Sequence, residues 1–238
     1  MSISEINTAA YGSVSDINKK AVGNISKISG EEAGAPFVPS GTPYGWYDAS
    51  QLSLNNNDSV NSWTDLSGNG YHLTGSSPVF KTNIQGSLPA VYFDNNYLRY
   101  DWPDVIQPAT YFMVFKFANL TDGAMFSGMG SGSWRQYAYL EGNEIKLYAG
   151  AIYDQNVLMD TNIHVMSVKF NTTFSFINID GSNYSQANVG TQIMGGLTLA
   201  ANWDTNNRKT MYIMEFIAYN YNEPITNNIN GLKAKWGI

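Results

Sequence analysis

From Tyr44 onward the apolar positions come in short runs separated by turn residues, at the spacing of a β-sandwich. Residues 90–93 (AVYF) and 97–100 (YLRY) flank the turn Asp94-Asn95-Asn96. Residues 110–117 (TYFMVFKF) are aromatic and β-branched enough for a central strand. Residues 136–140, the turn Glu141-Gly142-Asn143 and residues 144–149 read as a hairpin. A second unit follows, in which 165–170 leads into 173–179 and Asp180-Gly181 turns the chain into 182–187. Residues 196–200 and 211–219 supply two late strands. Helical features are confined to 224–235: Pro224 near the start, the stripe Ile225, Ile229 and Leu232, and basic Lys233 and Lys235 at the end.

The first thirty residues follow a different rule. Ser2-Ile3-Ser4-Glu5-Ile6-Asn7, Ser13-Val14-Ser15-Asp16-Ile17-Asn18 and Asn24-Ile25-Ser26-Lys27-Ile28-Ser29 repeat one unit at a period of 11 residues, and Gly12, Gly23 and Gly34 keep the same step. An 11-residue period suits a right-handed helical supercoil, but Gly, Ser, Asn and β-branched residues at this density oppose a helix. Extended or hooked segments are expected instead. Each unit offers two aliphatic side chains (Ile3 and Ile6, Val14 and Ile17, Ile25 and Ile28), too few to enclose a core. The expectation is therefore an arm at 1–30 that orders only against another surface. Gly34, Pro36, Pro39, Gly41 and Pro43 make 31–43 a Pro/Gly-rich connector, and the domain is expected at 44–238.

Composition narrows the function. Thirteen Lys+Arg against 19 Asp+Glu leave a net charge of −6, so counterion release on a phosphate backbone has little to offer and nucleic acid is not expected as a partner. Zero Cys excludes disulfides, thiolate nucleophiles and Cys-ligated metal. No run reaches the ~18 apolar residues of a membrane span, and Met1-Ser2-Ile3-Ser4-Glu5 lacks the basic and apolar regions of a signal peptide. Membrane insertion and export through a signal peptide are not expected.

Several ordered motifs carry a resemblance. Trp46-Tyr47-Asp48-Ala49-Ser50, then Trp63-Thr64-Asp65-Leu66-Ser67-Gly68-Asn69-Gly70-Tyr71-His72-Leu73, then Leu88-Pro89-Ala90-Val91-Tyr92-Phe93-Asp94 resemble the opening of laminin-G-like jelly rolls in the concanavalin A-like lectin/glucanase superfamily. Ile213-Met214-Glu215-Phe216-Ile217-Ala218-Tyr219-Asn220 and the following helix up to Leu232-Lys233-Ala234-Lys235-Trp236-Gly237 are similar to its close. The resemblance implies an all-β fold: a two-sheet antiparallel jelly-roll sandwich with a short C-terminal helix, here preceded by the extended arm. The repeats at 1–30 resemble the N-terminal arms of tailed-bacteriophage structural proteins. That resemblance implies a non-enzymatic virion protein, either capsid decoration or tail appendage. Its arm would dock on other virion proteins, and its jelly roll would face outward, as one copy or a homo-oligomer. The fold supports many functions, and a carbohydrate-binding adhesin, at a phage tail tip or on a bacterial surface, is the alternative.

Catalysis finds little support. Glycosidases need two carboxyl groups at defined separation. The glucanases of the superfamily carry a Glu-x-Asp-x-x-Glu pattern that is missing here. Glu141 and Glu144 bracket a turn, and Glu215, inside an apolar strand where similar members also carry Glu, reads as a hydrogen-bonded structural residue. His72 and His164 lie near no nucleophile elbow. No cofactor is expected, apart from a calcium ion for which Asp94, Asn95 and Asp101 are the loop oxygens to inspect. Trp46, Trp63 and Trp236 fall in the family motifs and read as core or closing anchors. Trp102, Trp134 and Trp203 stand in polar loops, where ring faces stack on sugar C–H faces and Asn, Asp and Arg bond hydroxyls. The expected ligand-binding set is Trp102, Trp134, Arg135, Asn202, Trp203, Asp204, Asn206 and Asn207, with Arg208 beside them and a host-surface glycan as the ligand.

Overall fold

The computed structural model describes residues 37–130 and 135–238. The repeats at 1–30, with Ile3, Ile6, Val14, Ile17, Ile25 and Ile28, lie outside the described residues, as does Trp134. Among the described residues sixteen strands form two sheets. The first contains β1 (Gly45–Asp48), β4 (Val79–Gln85), β5 (Leu88–Phe93), β7 (Ala109–Phe117), β12 (Ile163–Phe170), β13 (Phe176–Ile179), β14 (Ser182–Asn183) and β16 (Met211–Tyr219). Its order is β14-β13-β12-β7-β16-β5-β4, with β1 also paired to β16. The second runs β11-β10-β9-β8-β15-β6-β3-β2, from β11 (Ile152–Tyr153), β10 (Glu144–Tyr148), β9 (Tyr137–Glu141) and β8 (Gly123–Ser127) to β15 (Leu197–Leu199), β6 (Leu98–Tyr100), β3 (Leu73–Gly75) and β2 (Ser62–Trp63). Every pairing of named strands is antiparallel. The molecule is the expected all-β sandwich closed by one helix, α1 (Ile225–Trp236).

The pattern explains the layers. β7 is the central strand anticipated at 110–117, buried along nearly its whole length because both faces are covered, one by the second sheet and one by α1. Ile229, Leu232 and Trp236 bury the inner side of α1, and the helix ends on Gly237, whose left-handed φ of 66° lets its N–H reach the Lys233 carbonyl. The 136–149 hairpin forms as β9 and β10 around Gly142 and Asn143. Both have positive φ, as a two-residue turn matching sheet twist requires. Asp180 and Gly181 turn β13 into β14 by the same geometry.

Three details differ from the sequence reading. The segments flanking the 94–96 turn pair with other strands: β5 belongs to the first sheet and β6 to the second, so the turn carries the chain between layers. The segment 173–179 opens as a 3-10 turn, Thr172–Phe174, before β13 begins. The compact unit starts at Val38, so the end of the 31–43 connector belongs to the domain. Ser40 explains this: its N–H donates to Asn228 Oδ1 at 2.8 Å, its hydroxyl to Glu223 at 2.7 Å, and its carbonyl accepts from the Tyr219 hydroxyl at 2.6 Å.

Candidate functional site

Acid chemistry would need a carboxyl kept protonated, and Glu215 is the carboxyl that burial pushes above its ordinary range, with Lys235 pulling the other way. It is 0% exposed. Met214 is the extra residue of a bulge in β16, where the pairing with β7 steps from Ile213 to Glu215. The bulge changes the strand's phase: Met211 and Ile213 face the core before it, Phe216 and Ala218 after it. Glu215 is thereby turned toward α1, where it accepts hydrogen bonds from Trp46 Nε1 (2.8 Å), Trp236 Nε1 (2.8 Å) and Lys235 Nζ (2.7 Å). Lys235 also pairs with Asp48 at 2.6 Å. With every donor around it aimed inward from the fold, this carboxylate fastens the helix to the sheet and has no open side for a substrate.

An open surface lies at the β9–β10 end of the second sheet's outer face. Along β9 and β10, Ala138, Leu140, Ile145 and Leu147 point into the core, which leaves Tyr137, Tyr139, Lys146 and Tyr148 on the other side. Tyr137 sits opposite Tyr148 and Tyr139 opposite Lys146. The Tyr137 and Tyr139 rings stack with centroids 4.6 Å apart and planes 10° apart. The Arg135 guanidinium lies over both Tyr137 (5.2 Å) and Tyr148 (5.0 Å). Arg135, Tyr137, Tyr139 and Tyr148, together with Asp122, Glu141, Ile152, Asn202 and Asn207, line a groove of about 450 Å³.

The 202–208 loop forms one wall. Asn202 Oδ1 accepts from Arg135 Nη1 at 3.2 Å and from Trp203 N at 2.8 Å, and Asn207 Nδ2 donates to the Tyr137 hydroxyl at 2.8 Å. The loop holds its own shape: Asn202 N donates to the Asn206 carbonyl, Asn206 donates twice to the Asp204 carboxylate, and Lys209 N returns to the Ala200 carbonyl. Those amide bonds keep the Asp204 carboxyl below its ordinary range. At the loop's exit, a Cβ on Gly123 would come 2.9 Å from the Arg208 carbonyl, so only glycine lets β8 lie this close. Burial pushes the Tyr137 phenol up to about 12 against the opposing pull of Asn207 and Arg135, and burial likewise raises Tyr139. Both stay neutral hydroxyls at physiological pH. Among the groove's acids, Glu141 is paired with Lys146 at 3.1 Å, as is neighbouring Asp154, and Asp122 accepts from Gly142 N.

Of the residues expected in the ligand set, Arg135, Asn202 and Asn207 converge on this groove, while Trp203, Asp204 and Asn206 build the loop behind it. Trp102 does not belong to the set. It is 2% exposed, edge-on to Tyr44 and Tyr71, and Gly45 makes room for it, since a Cβ there would stand 2.8 Å from its ring. Its sequence neighbours, polar Asp101 and the turn-former Pro103, made a core residue resemble a loop one. Trp63 and Trp236 are fully buried, and Trp46 is half-buried with its ring N–H on Glu215. Of the loop oxygens considered for calcium, Asn95 gives its carbonyl (2.6 Å) and Oδ1 (3.3 Å) to Arg208, and Asp101 lines a second groove on the same face. Among the described residues no three His, Asp or Glu side chains cluster as a metal site would require. Tyr137, Tyr139 and Tyr148 were missed in the sequence. The signal available was the alternation of YAYLE and EIKLY, which places them opposite the aliphatics.

No protein-family model matches the chain, and no curated protein matches it. Solved structures do resemble it. The receptor-binding domain of botulinum neurotoxin mosaic serotype C/D superposes with a TM-score of 0.54 at 8% identity, over 82% of this chain and 50% of that one. Trypanosoma rangeli sialidase, in its complex with 2,3-difluorosialic acid, gives 0.55 at 10% identity over 82% of this chain and 33% of that one. Domain 4 of the arabinanase AbnA from Geobacillus stearothermophilus, solved with arabinotriose, gives 0.50 at 15% identity over 69% of this chain and 93% of that one. The chain thus spans half or less of the toxin and sialidase chains and nearly all of the arabinanase domain, and what it shares with all three is the antiparallel two-sheet sandwich.

Proposed function

We propose that the domain is a non-enzymatic glycan-binding module whose ligand lies in the tyrosine-lined groove of the second sheet. The observation that carries this reading is the convergence of the half-buried Tyr139 and Tyr148 rings, backed by the buried Tyr137, with amide and guanidinium groups at Arg135, Asn202 and Asn207. A sugar presents C–H faces to aromatic rings and hydroxyls to amides, and this groove offers both from rigid strands and a self-braced loop, so little ordering cost falls on binding. The arabinanase domain and the serotype D toxin ligand-binding domain, solved with arabinotriose and N-acetylneuraminic acid, lend support to the ligand class. Binding without turnover is favoured because, among the described residues, the groove's two carboxyls are each engaged by the fold, Glu141 with Lys146 and Asp122 with the Gly142 N–H, where glycoside hydrolysis uses a pair aimed at the substrate.

A broad glycan array probed with the full chain tests the reading. Binding to at least one saccharide is expected, with tenfold or greater loss in Tyr139→Ala and in Tyr148→Ala. An array without a single hit, or a hit that both variants retain at full strength, overturns it.

The 11-residue repeat favours a second, compatible reading. The arm at 1–30 docks on a virion through its paired aliphatics, whose burial against other virion proteins would hold the domain outward as capsid decoration or tail appendage. Deleting residues 1–30 should leave the domain folded and absent from particles. Full incorporation of the truncated chain would remove this reading and leave the glycan groove untouched.

A further inference from the structure

The chain contains three arginines, Arg99, Arg135 and Arg208, and all three gather at the grooves of this one face. Register places Arg99 in line with the two tyrosines over which Arg135 lies. Tyr148, Tyr137, Ser127, Thr198, Arg99 and Thr74 are successive partners across β10, β9, β8, β15, β6 and β3. Arg99 is therefore three strands from Tyr137, about 14 Å at ~4.8 Å per strand. It lines a second groove of about 510 Å³ with Asn61, Thr74, Tyr97 and Asp101. Ser127 and Thr198, between the grooves, are buried. The 202–208 loop serves both grooves, with Asn202 and Asn207 in the first and Arg208 over Tyr97 in the second.

The arginines share an unusual state. Among the described residues the ion pairs are made by Lys146, Lys235 and His164, and none involves an arginine. Each guanidinium lies over tyrosine instead: Arg135 over Tyr137 and Tyr148, and Arg99 (5.6 Å) and Arg208 (5.4 Å) over the single ring of Tyr97. Arg208 is tied down through the Thr205 and Asn95 carbonyls. Arg135 Nε is buried and has no hydrogen-bond partner among the described residues. In a chain with more carboxylates than cations, unpaired guanidiniums on one face are unspent charge, and two of them on one ring repel unless an anion joins them. The nearby acids do not fill this role. Glu141 and Asp154 hold Lys146, and Asp204 bonds Asn206 and feels the charge of Arg135 without forming an ion pair with it, while Asp101 at the second groove adds an acceptor for hydroxyls.

We infer that the bound glycan is acidic, bearing carboxylate or sulfate groups, and spans both grooves: Arg135 clamps one anionic group in the tyrosine groove and Arg99 a second beside Tyr97. This rests on the glycan-binding reading and adds the ligand's charge and length. A guanidinium over a ring face still carries N–H donors at its edge that can bond such an oxyanion; in Arg135, Nη1 already donates to Asn202, which leaves Nη2 for the ligand.

Calorimetric titration of the full chain compares oligogalacturonate with its carboxyl-reduced counterpart, and dextran sulfate with dextran. One acidic member is expected to bind at least tenfold more tightly than its neutral partner, with the advantage shrinking as salt rises. Which pair shows it identifies the anion. Arg135→Gln should abolish most of the preference, and Arg99→Gln should weaken long oligomers while leaving dimers unchanged, with melting temperatures checking that both variants fold. Neutral and acidic partners binding equally well would overturn the acidic assignment and leave the glycan reading standing. A tenfold acidic preference that survives in the Arg99/Arg135 double variant would overturn the assignment of these arginines. Absence of binding to all four polymers, together with an empty glycan array, removes both readings.

Discussion

On the first sheet, β7 and β16 are buried on both faces, so that Phe112 and Glu215 meet the covering layer while Met113 and Phe216 meet the core. On the second sheet, β9 and β10 bury alternate residues and leave Tyr139 and Tyr148 half-exposed. The sheets are alike in size and antiparallel pairing. They differ in what lies outside them: α1 covers the first, and the grooves lie on the outer face of the second. The covered face stores stability in paired charges and packed rings. The open face holds aromatic rings and guanidiniums whose hydrogen-bonding capacity the fold has not used up, which is the condition for binding something else.

That division predicts separable losses. The largest is expected from Glu215→Gln, which removes one of the two carboxylates that hold Lys235, leaving Asp48 alone with it, and sets an amide among the indole N–H donors. Unfolding free energy should drop by about 3 kcal/mol, read by denaturant titration, while binding by the folded fraction stays unchanged. If the variant keeps wild-type stability, the carboxylate is not the fastener of α1. Tyr139→Ala should behave in the opposite way, with a stability cost of about 1 kcal/mol or less beside the tenfold binding loss. A collapse in stability of several kcal/mol would mean that the tyrosine face is packing surface and the contrast between the sheets is false.

The smallest effect concerns how the cover is held at its edge. His164 bonds Asp180 at 2.7 Å and Asp160 at 2.9 Å, and the Asp180 carbonyl accepts from Lys233 of α1. Burial alone would lower the His164 pKa, but its hydrogen bonds to the two carboxylates outweigh that and hold it above its ordinary 6.5. Its stabilisation is therefore complete below about pH 6.5 and fades as pH rises through the folded value. Burial would raise the Asp180 carboxyl, but the His164 bond keeps it below its ordinary 3.8, and the Asn162 N–H does the same for Asp160, so their share is lost as pH falls below that range. The clamp should contribute most between those limits. Melting temperatures of His164→Gln against wild type should differ at pH 5.5 and converge at pH 9; an equal gap at both would show that the imidazole acts by packing alone.

Much of the fold was legible in the chain. The aromatic and β-branched run at 110–117 indicated a central strand, Asp180-Gly181 and Gly142-Asn143 indicated tight turns, and Pro224 with the Ile225, Ile229 and Leu232 stripe indicated a helix at the end. The candidate site was legible in part. Arg135, Asn202 and Asn207 were picked out by polarity beside tryptophan, yet tryptophan itself misled at Trp102, because its burial depends on Gly45, Tyr44 and Tyr71, which neighbour it only in space.

What the sequence by itself determined is the class of structure: local periodicity, turn chemistry and charge-poor composition act over a few residues and are readable there. What only the tertiary structure decided is where side chains point across distance. Strict alternation would have put Glu215 on the same side as Met211 and Ile213, and one bulge at Met214, imposed by pairing with β7, turned it to the helix. Three arginines far apart in the chain met on one face because the pairing of β6, β15, β8 and β9 and the return of the 202–208 loop brought them there. Register is a property of strand pairs, and no single strand's sequence contains it.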